Sequence, residues 1–216
     1  SSVRSQGYLA LAAGALGSVQ RSRLDAERAL GEDAALWSFH RSSPAWLALA
    51  WAVLRQGDLA AAGEAVRRGE LANSDHSPLI AAGLRLVAAE RRMQLGDIRA
   101  SRQILAELDV RLASLPRVPW LAALRTAVGV RLELAAGASA RAEALPVAHE
   151  AVAEPAEQRF VATARARLLL ATGRAAEVRD SLPTLPHDVS IDGAVSELGW
   201  VGVAPTPSIG GGSPIP

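Results

Sequence analysis

Apolar residues recur along this chain at helical spacing, and the pattern is broken at intervals by a glycine followed by a short polar step. Four segments show it most clearly: Leu54-Arg55-Gln56-Gly57-Asp58-Leu59, Met93-Gln94-Leu95-Gly96-Asp97-Ile98, Leu134-Ala135-Ala136-Gly137-Ala138-Ser139 and Leu170-Ala171-Thr172-Gly173-Arg174-Ala175. A weaker copy, Gly14-Ala15-Leu16-Gly17-Ser18-Val19, precedes them. The glycines at 17, 57, 96, 137 and 173 stand 40, 39, 41 and 36 residues apart. A near-constant period of that length signals an array of like units.

Each step has a physical reading. Glycine takes the left-handed conformation after the last turn of a helix, where a Cβ would be penalised. The residue after it (Ser18, Asp58, Asp97) can accept a hydrogen bond from the free N–H groups of the next helix. The pattern therefore predicts helical hairpins. Five residues after the glycine come Ser22, Ala62, Ser101, Ala142 and Val178, small in four of five copies, which lets the two arms approach closely. Loops such as Ala72-Asn73-Ser74-Asp75-His76-Ser77-Pro78 and Leu115-Pro116-Arg117-Val118-Pro119 end one unit and begin the next.

Composition agrees with helices. Ala, Leu, Arg and Glu dominate, aromatic residues make up 4 %, and five of the eight are Trp. An all-β fold, which would want Val, Ile, Thr and Tyr, is excluded. The 23 basic residues, all Arg, against 22 acidic ones leave a net charge of +1, too balanced for a general nucleic-acid or membrane-surface binder. The absence of Cys removes disulfides and thiol chemistry and fits a cytoplasmic setting. The most apolar stretch, Trp46 to Leu54, is far short of the ~20 residues that span a bilayer. The chain opens Ser1-Ser2-Val3-Arg4 without an initiator Met, which predicts a piece of a longer or processed protein.

The glycine-aligned segments resemble the tetratricopeptide motif. The second copy matches best, with Trp46, Leu49, Ala50 and Val53 ahead of Gly57-Asp58 and Ala62 behind it. The longer period is similar to that of the regulatory region of MalT-like, LuxR-family bacterial transcriptional regulators. The stretch Leu54 to Glu70 and the string from Ala127 to Leu185 carry that closer likeness. The resemblance implies an all-α, right-handed superhelix of about five hairpins over residues 1–185; the Pro/Gly-rich composition of 186–216 predicts a tail that is mostly extended or disordered. It implies a ligand-sensing and protein-interaction module, binding a small-molecule inducer or a protein or peptide partner, with homo-oligomerisation left open. Such regulators carry an ATPase upstream and a helix-turn-helix downstream. No phosphate-binding loop and no recognition helix occurs here, so only the middle module is expected, without direct nucleic-acid contact. The alternative is a free-standing scaffold that binds peptides or partner proteins in its concave groove.

By the same resemblance, the residues six before each glycine face the groove: Leu11, Trp51, Glu90, Arg131 and Arg167. Two before it come Ala15, Arg55, Gln94, Ala135 and Ala171, whereas three before it Leu54, Met93, Leu134 and Leu170 are apolar throughout. The candidate groove residues are accordingly Trp51, Arg55, Glu90, Gln94, Arg131 and Arg167. An Arg offers a planar donor fork for carboxylate or phosphate, and a Trp a stacking plate. The competing reading pairs Glu90 with Arg131 and puts Trp51 in the core. Taken on its own helix, Glu90-Arg91-Arg92 reads as an exposed charged face.

Catalytic and metal signatures are missing. His40, His76, His149 and His187 lie far apart and none stands in a ligand pair, so no metal or cofactor is expected. Gly210-Gly211-Gly212 follows no strand, no nucleophile elbow occurs, and Glu32-Asp33 reads as a solvated loop pair. Trp120 reads as a staple or core residue beside Pro119, and Trp37 and Phe39 as similar residues at a loop entry. Trp200 is an isolated aromatic in the tail. No enzyme is predicted.

Overall fold

The computed structural model describes residues 3–33, 42–73, 77–114, 118–145 and 155–178. The described residues form nine α-helices and one 3-10 turn, with no strand among them. The helices are α1 (Val3–Ala15), α2 (Val19–Asp33), α3 (Ser43–Arg55), α4 (Leu59–Asn73) and α5 (Pro78–Gln94), then α6 (Ile98–Leu112), α7 (Pro119–Ala135), α8 (Ser139–Glu143) and α9 (Pro155–Ala171). The 3-10 turn, Ala175–Glu177, follows α9.

Glycines 17, 57, 96, 137 and 173 sit in the gaps α1–α2, α3–α4, α5–α6, α7–α8 and α9–3-10 turn, with φ of 99°, 83°, 81°, 71° and 77°. All five close the preceding helix in one way. The glycine N–H donates to the carbonyl three residues back, and the next N–H to the carbonyl five residues back, at 2.8–3.2 Å. This is the Schellman closure, which satisfies carbonyls that the helix end leaves bare and demands positive φ at the glycine.

The residue after the glycine governs the second arm. Asp58 Oδ1 accepts from Ala61 N at 2.9 Å, and Asp97 Oδ1 accepts from Ala100 N at 3.0 Å. The helices they open, α4 and α6, each run 15 residues. Ala138 and Arg174 hold the same position without a side-chain cap, and the helical segments after them run 5 and 3 residues. Pro146, three residues beyond α8, also bars its continuation. Within the described residues the last two second arms are thus much shorter than the glycine spacing alone suggests.

Packing follows chain order. α1 lies on α2 and α3, α3 on α4 and α5, α5 on α6 and α7, and α7 on α8 and α9. α3 touches α1, α2, α4 and α5 and is buried along most of its length, which accounts for the near-continuous apolar run from Trp46 to Leu54. The main core joins α3 to α9 through Leu47, Leu54, Leu84, Val87, Val128 and Phe160. Four of the small residues five after the glycine (Ser22, Ala62, Ser101 and Ala142) are buried at 0–1 % exposure. Further close approaches use glycine: a Cβ on Gly7 would lie 2.7 Å from Ala45 N, and one on Gly83 would lie 2.6 Å from Leu47 Cδ2.

Two local expectations change. Glu32-Asp33 is the last turn of α2, not a loop, because the run of good helix formers after Val19 carries the helix through Gly31. Glu90 is 3 % exposed, not on a solvated face, because α7 covers that side of α5. Trp37, Phe39, the four histidines, Trp200 and the whole 186–216 segment lie outside the described residues. Among the described residues no helix is long and apolar enough to cross a membrane.

Candidate functional site

The column six before each glycine lies on the first arms α1, α3, α5, α7 and α9, which pack side by side in that order. The structure places its members at different depths. Trp51, on α3, is 8 % exposed and belongs to the main core. The Arg55 guanidinium, one helical turn on, lies 5.1 Å from the centre of the Trp51 ring system, within cation–π range. Leu11 is half-buried against the core.

Glu90 and Arg131 meet across the α5–α7 contact. Arg131 Nη2 donates to Glu90 Oε2 at 2.6 Å, and the two side chains are 10 % and 3 % exposed. Both charges are withdrawn from water, and a charge-assisted bond of this length offsets part of their desolvation. Gln94, one turn beyond Glu90, is half-buried; its Oε1 is buried and has no hydrogen-bond partner among the described residues. Arg167, on α9, is half-buried.

The six candidates therefore resolve into two contact pairs, Trp51 with Arg55 and Glu90 with Arg131, and two further polar residues on α5 and α9. The polar partners of this region that sequence inspection missed sit on the second arms. Arg91 Nε donates to the Leu59 carbonyl at 2.6 Å, tying α5 to the start of α4. Arg102 of α6 donates from Nε and Nη2 to both carboxylate oxygens of Glu133 on α7, at 3.0 and 2.7 Å. That two-pronged hydrogen bonding holds the Glu133 carboxyl below its ordinary range, against a smaller opposing effect of burial. Opposite charge in the same column of adjacent units is the sequence signal behind the competing reading that paired Glu90 with Arg131, and the two side chains do meet. A backbone acceptor such as the Leu59 carbonyl has no such signal.

Chemically, the arrangement offers half-buried guanidiniums and an amide oxygen without a hydrogen-bond partner among the described residues, which suits recognition of polar groups. The described residues contain no group of three or more His, Cys, Asp or Glu that could hold a metal ion. No known protein family, curated protein or solved structure matches this chain.

Proposed function

We propose that this chain is a tetratricopeptide-like, right-handed superhelix of about five hairpins, serving as the ligand-sensing and protein-interaction module of a cytoplasmic bacterial regulator of the MalT-like, LuxR type. The observation that supports it is the recurrence of one turn. Five glycines at near-constant spacing share positive φ and the same pair of closing hydrogen bonds, and the helices they join pack on their sequence neighbours. Units that touch only their neighbours build an extended recessed surface suited to long ligands and partner segments.

In this reading the half-buried Arg55, Gln94 and Arg167 contact the ligand, while the Glu90–Arg131 pair holds α5 against α7. A ligand that bridges consecutive first arms favours one curvature of the array over another. Only that difference in affinity between curvatures transmits a signal to ATPase and DNA-binding parts elsewhere.

The reading frame that encodes the chain tests the assignment directly. A phosphate-binding ATPase upstream and a helix-turn-helix downstream are the expected result. A frame with neither overturns the regulator reading and leaves the peptide-binding scaffold. At the protein level, a thermal-shift panel of metabolites and peptides should yield a stabilising compound whose effect is lost in Gln94→Ala and Arg167→Ala, with little change in the unliganded Tm.

A further inference from the structure

A second polar concavity lies away from this column, at the end of α4, α5 and α6 remote from the Gly57 and Gly96 turns. It is a cleft of about 290 Å³ walled by the last residue of α4, the first turns of α5 and the last turns of α6. Its floor is apolar, with Leu108 and Ala82 both buried. Its polar rim is cationic: Arg85 from α5 and Arg111 from α6 both line it, and no acidic side chain does so among the described residues. Arg85 has a loose contact outside the cleft, 3.8 Å from Nε to Glu70 Oε1, between side chains 37 % and 48 % exposed. Arg111 is exposed and makes no ion pair among the described residues. The positive end of the 17-residue α5 adds to the same field.

Asn73 turns this from a basic patch into a binding site. The residue is 5 % exposed and lines the cleft. Its Nδ2 donates to the Ser77 carbonyl at 3.0 Å, which fixes the amide and leaves Oδ1 as its remaining polar atom. Oδ1 is buried with no hydrogen-bond partner among the described residues. A buried acceptor left unmet costs about 1–3 kcal/mol, so a ligand that donates to it gains what the protein alone forgoes. No hydroxyl of the lining meets that need: neither Ser77 nor Ser114 bonds Oδ1, and Ser114 Oγ donates its proton to the Arg111 carbonyl. The occupant must therefore present negative charge to two guanidiniums and a hydrogen-bond donor to one amide oxygen.

We propose that this cleft binds a small hydroxylated organic anion, its charged group between Arg85 and Arg111 and a hydroxyl donating to Asn73 Oδ1. The volume sits at the low end of small-molecule sites, about 300–1,000 Å³, and suits a compact acid rather than a dinucleotide. Carboxylate and phosphate both match the paired forks. The assignment is independent of the groove on the first arms.

Calorimetric titration of the whole chain tests it with four probes: glycerate and glycerol 3-phosphate, which share a three-carbon hydroxylated skeleton, and the donor-free ions propionate and sulfate. Saturable binding of glycerate or glycerol 3-phosphate, with Kd of about 1 mM or tighter and about tenfold tighter than either donor-free ion, is expected. Whichever of the two binds identifies the anion as carboxylate or phosphate ester. Arg111→Gln, at an exposed position, should weaken binding about tenfold with unchanged Tm, and Asn73→Asp, which sets a negative charge against the ligand, should abolish it. The proposal is overturned by an absence of saturable binding for both hydroxylated probes. Equal affinity for the donor-free ions, or an Arg111→Gln protein that binds like the original, overturns it as well.

Discussion

The Glu90–Arg131 pair offers the sharpest test of how the hairpins are held together. Its atoms lie 2.6 Å apart, with 3 % and 10 % of the side chains exposed, so deleting Arg131 takes the guanidinium from a carboxylate that water scarcely reaches, and deleting Glu90 takes the carboxylate from Arg131. Breaking a buried pair from one side costs about 3–5 kcal/mol. At roughly 2–4 °C per kcal/mol for a domain of this size, Arg131→Met or Glu90→Leu should each lower Tm by about 6 °C or more. The double variant removes both charges and their desolvation, so it should recover most of that loss. Urea unfolding followed by far-UV circular dichroism on the four proteins closes the cycle; because the double should lose far less than the two singles summed, the expected coupling is at least one single loss, about 3 kcal/mol or more. Single variants within about 0.5 kcal/mol of the parent, or additive losses in the double variant, would refute the reasoning. The pair would then be solvated in solution, and Arg131 would be available to a ligand.

Other perturbations probe separate links. Gly96→Ala places no Cβ within 4 Å of a neighbour, so its cost is the left-handed backbone alone, about 1–2 kcal/mol; Gly96→Asn should cost less, and equal Tm for all three proteins would contradict the turn assignment. Gly31→Ala, in open space on α2, should stabilise by about 0.5–1 kcal/mol. Gly7→Ala gains the same helix propensity but drives a Cβ to 2.7 Å from the Ala45 backbone nitrogen, so it should be net destabilising, by thermal melts that rank Gly31→Ala above the parent and Gly7→Ala below. The Glu133 carboxyl has a folded pKa below its unfolded value, so its contribution is present above the ordinary carboxylate pKa and is lost as pH falls through the depressed value. Stability measured from pH 6 downward should therefore decline in the acid range, and Glu133→Gln should flatten part of that decline; an unchanged pH profile would show that Arg102 does not hold Glu133 in solution.

What the sequence makes legible is what the local backbone decides. Gly57 and Gly96 announce their turns because positive φ is a single-residue requirement, and Asp58 and Asp97 announce their helices because a cap reaches only three residues ahead. The small residues at 62, 101 and 142 are readable because the turn fixes which side of the second arm faces the first. Glu90 is not readable from its own helix. Beside Arg91 and Arg92 it looks solvated, yet its partner stands 41 residues away and its burial is decided by how α7 docks. Arg91 is harder still, since it meets a main-chain oxygen. The Asn73 cleft leaves no trace in the sequence because it joins the ends of three helices whose residues share no column, and nothing local marks an amide oxygen as unmet.

These polar contacts matter because the apolar ones are nearly interchangeable. Small Ala side chains offer few steric features to set register beyond close approaches such as Gly7 to Ala45 and Gly83 to Leu47. Directional bonds cross the junctions from the first hairpin to α7. Arg23 Nη1 donates to Gln56 Oε1 at 2.6 Å between the first two hairpins, and Arg91 reaches Leu59 between the next two. Between the α5–α6 pair and α7 there are three such links: Glu90 with Arg131, Glu133 with Arg102, and Asp109 with Arg125, whose Nε donates at 2.7 Å. Polar links thus converge on α7, while the junctions before it pair a broader helix contact with Gln56–Gln20 at 3.1 Å and a looser Arg85–Glu70 pair at 3.8 Å.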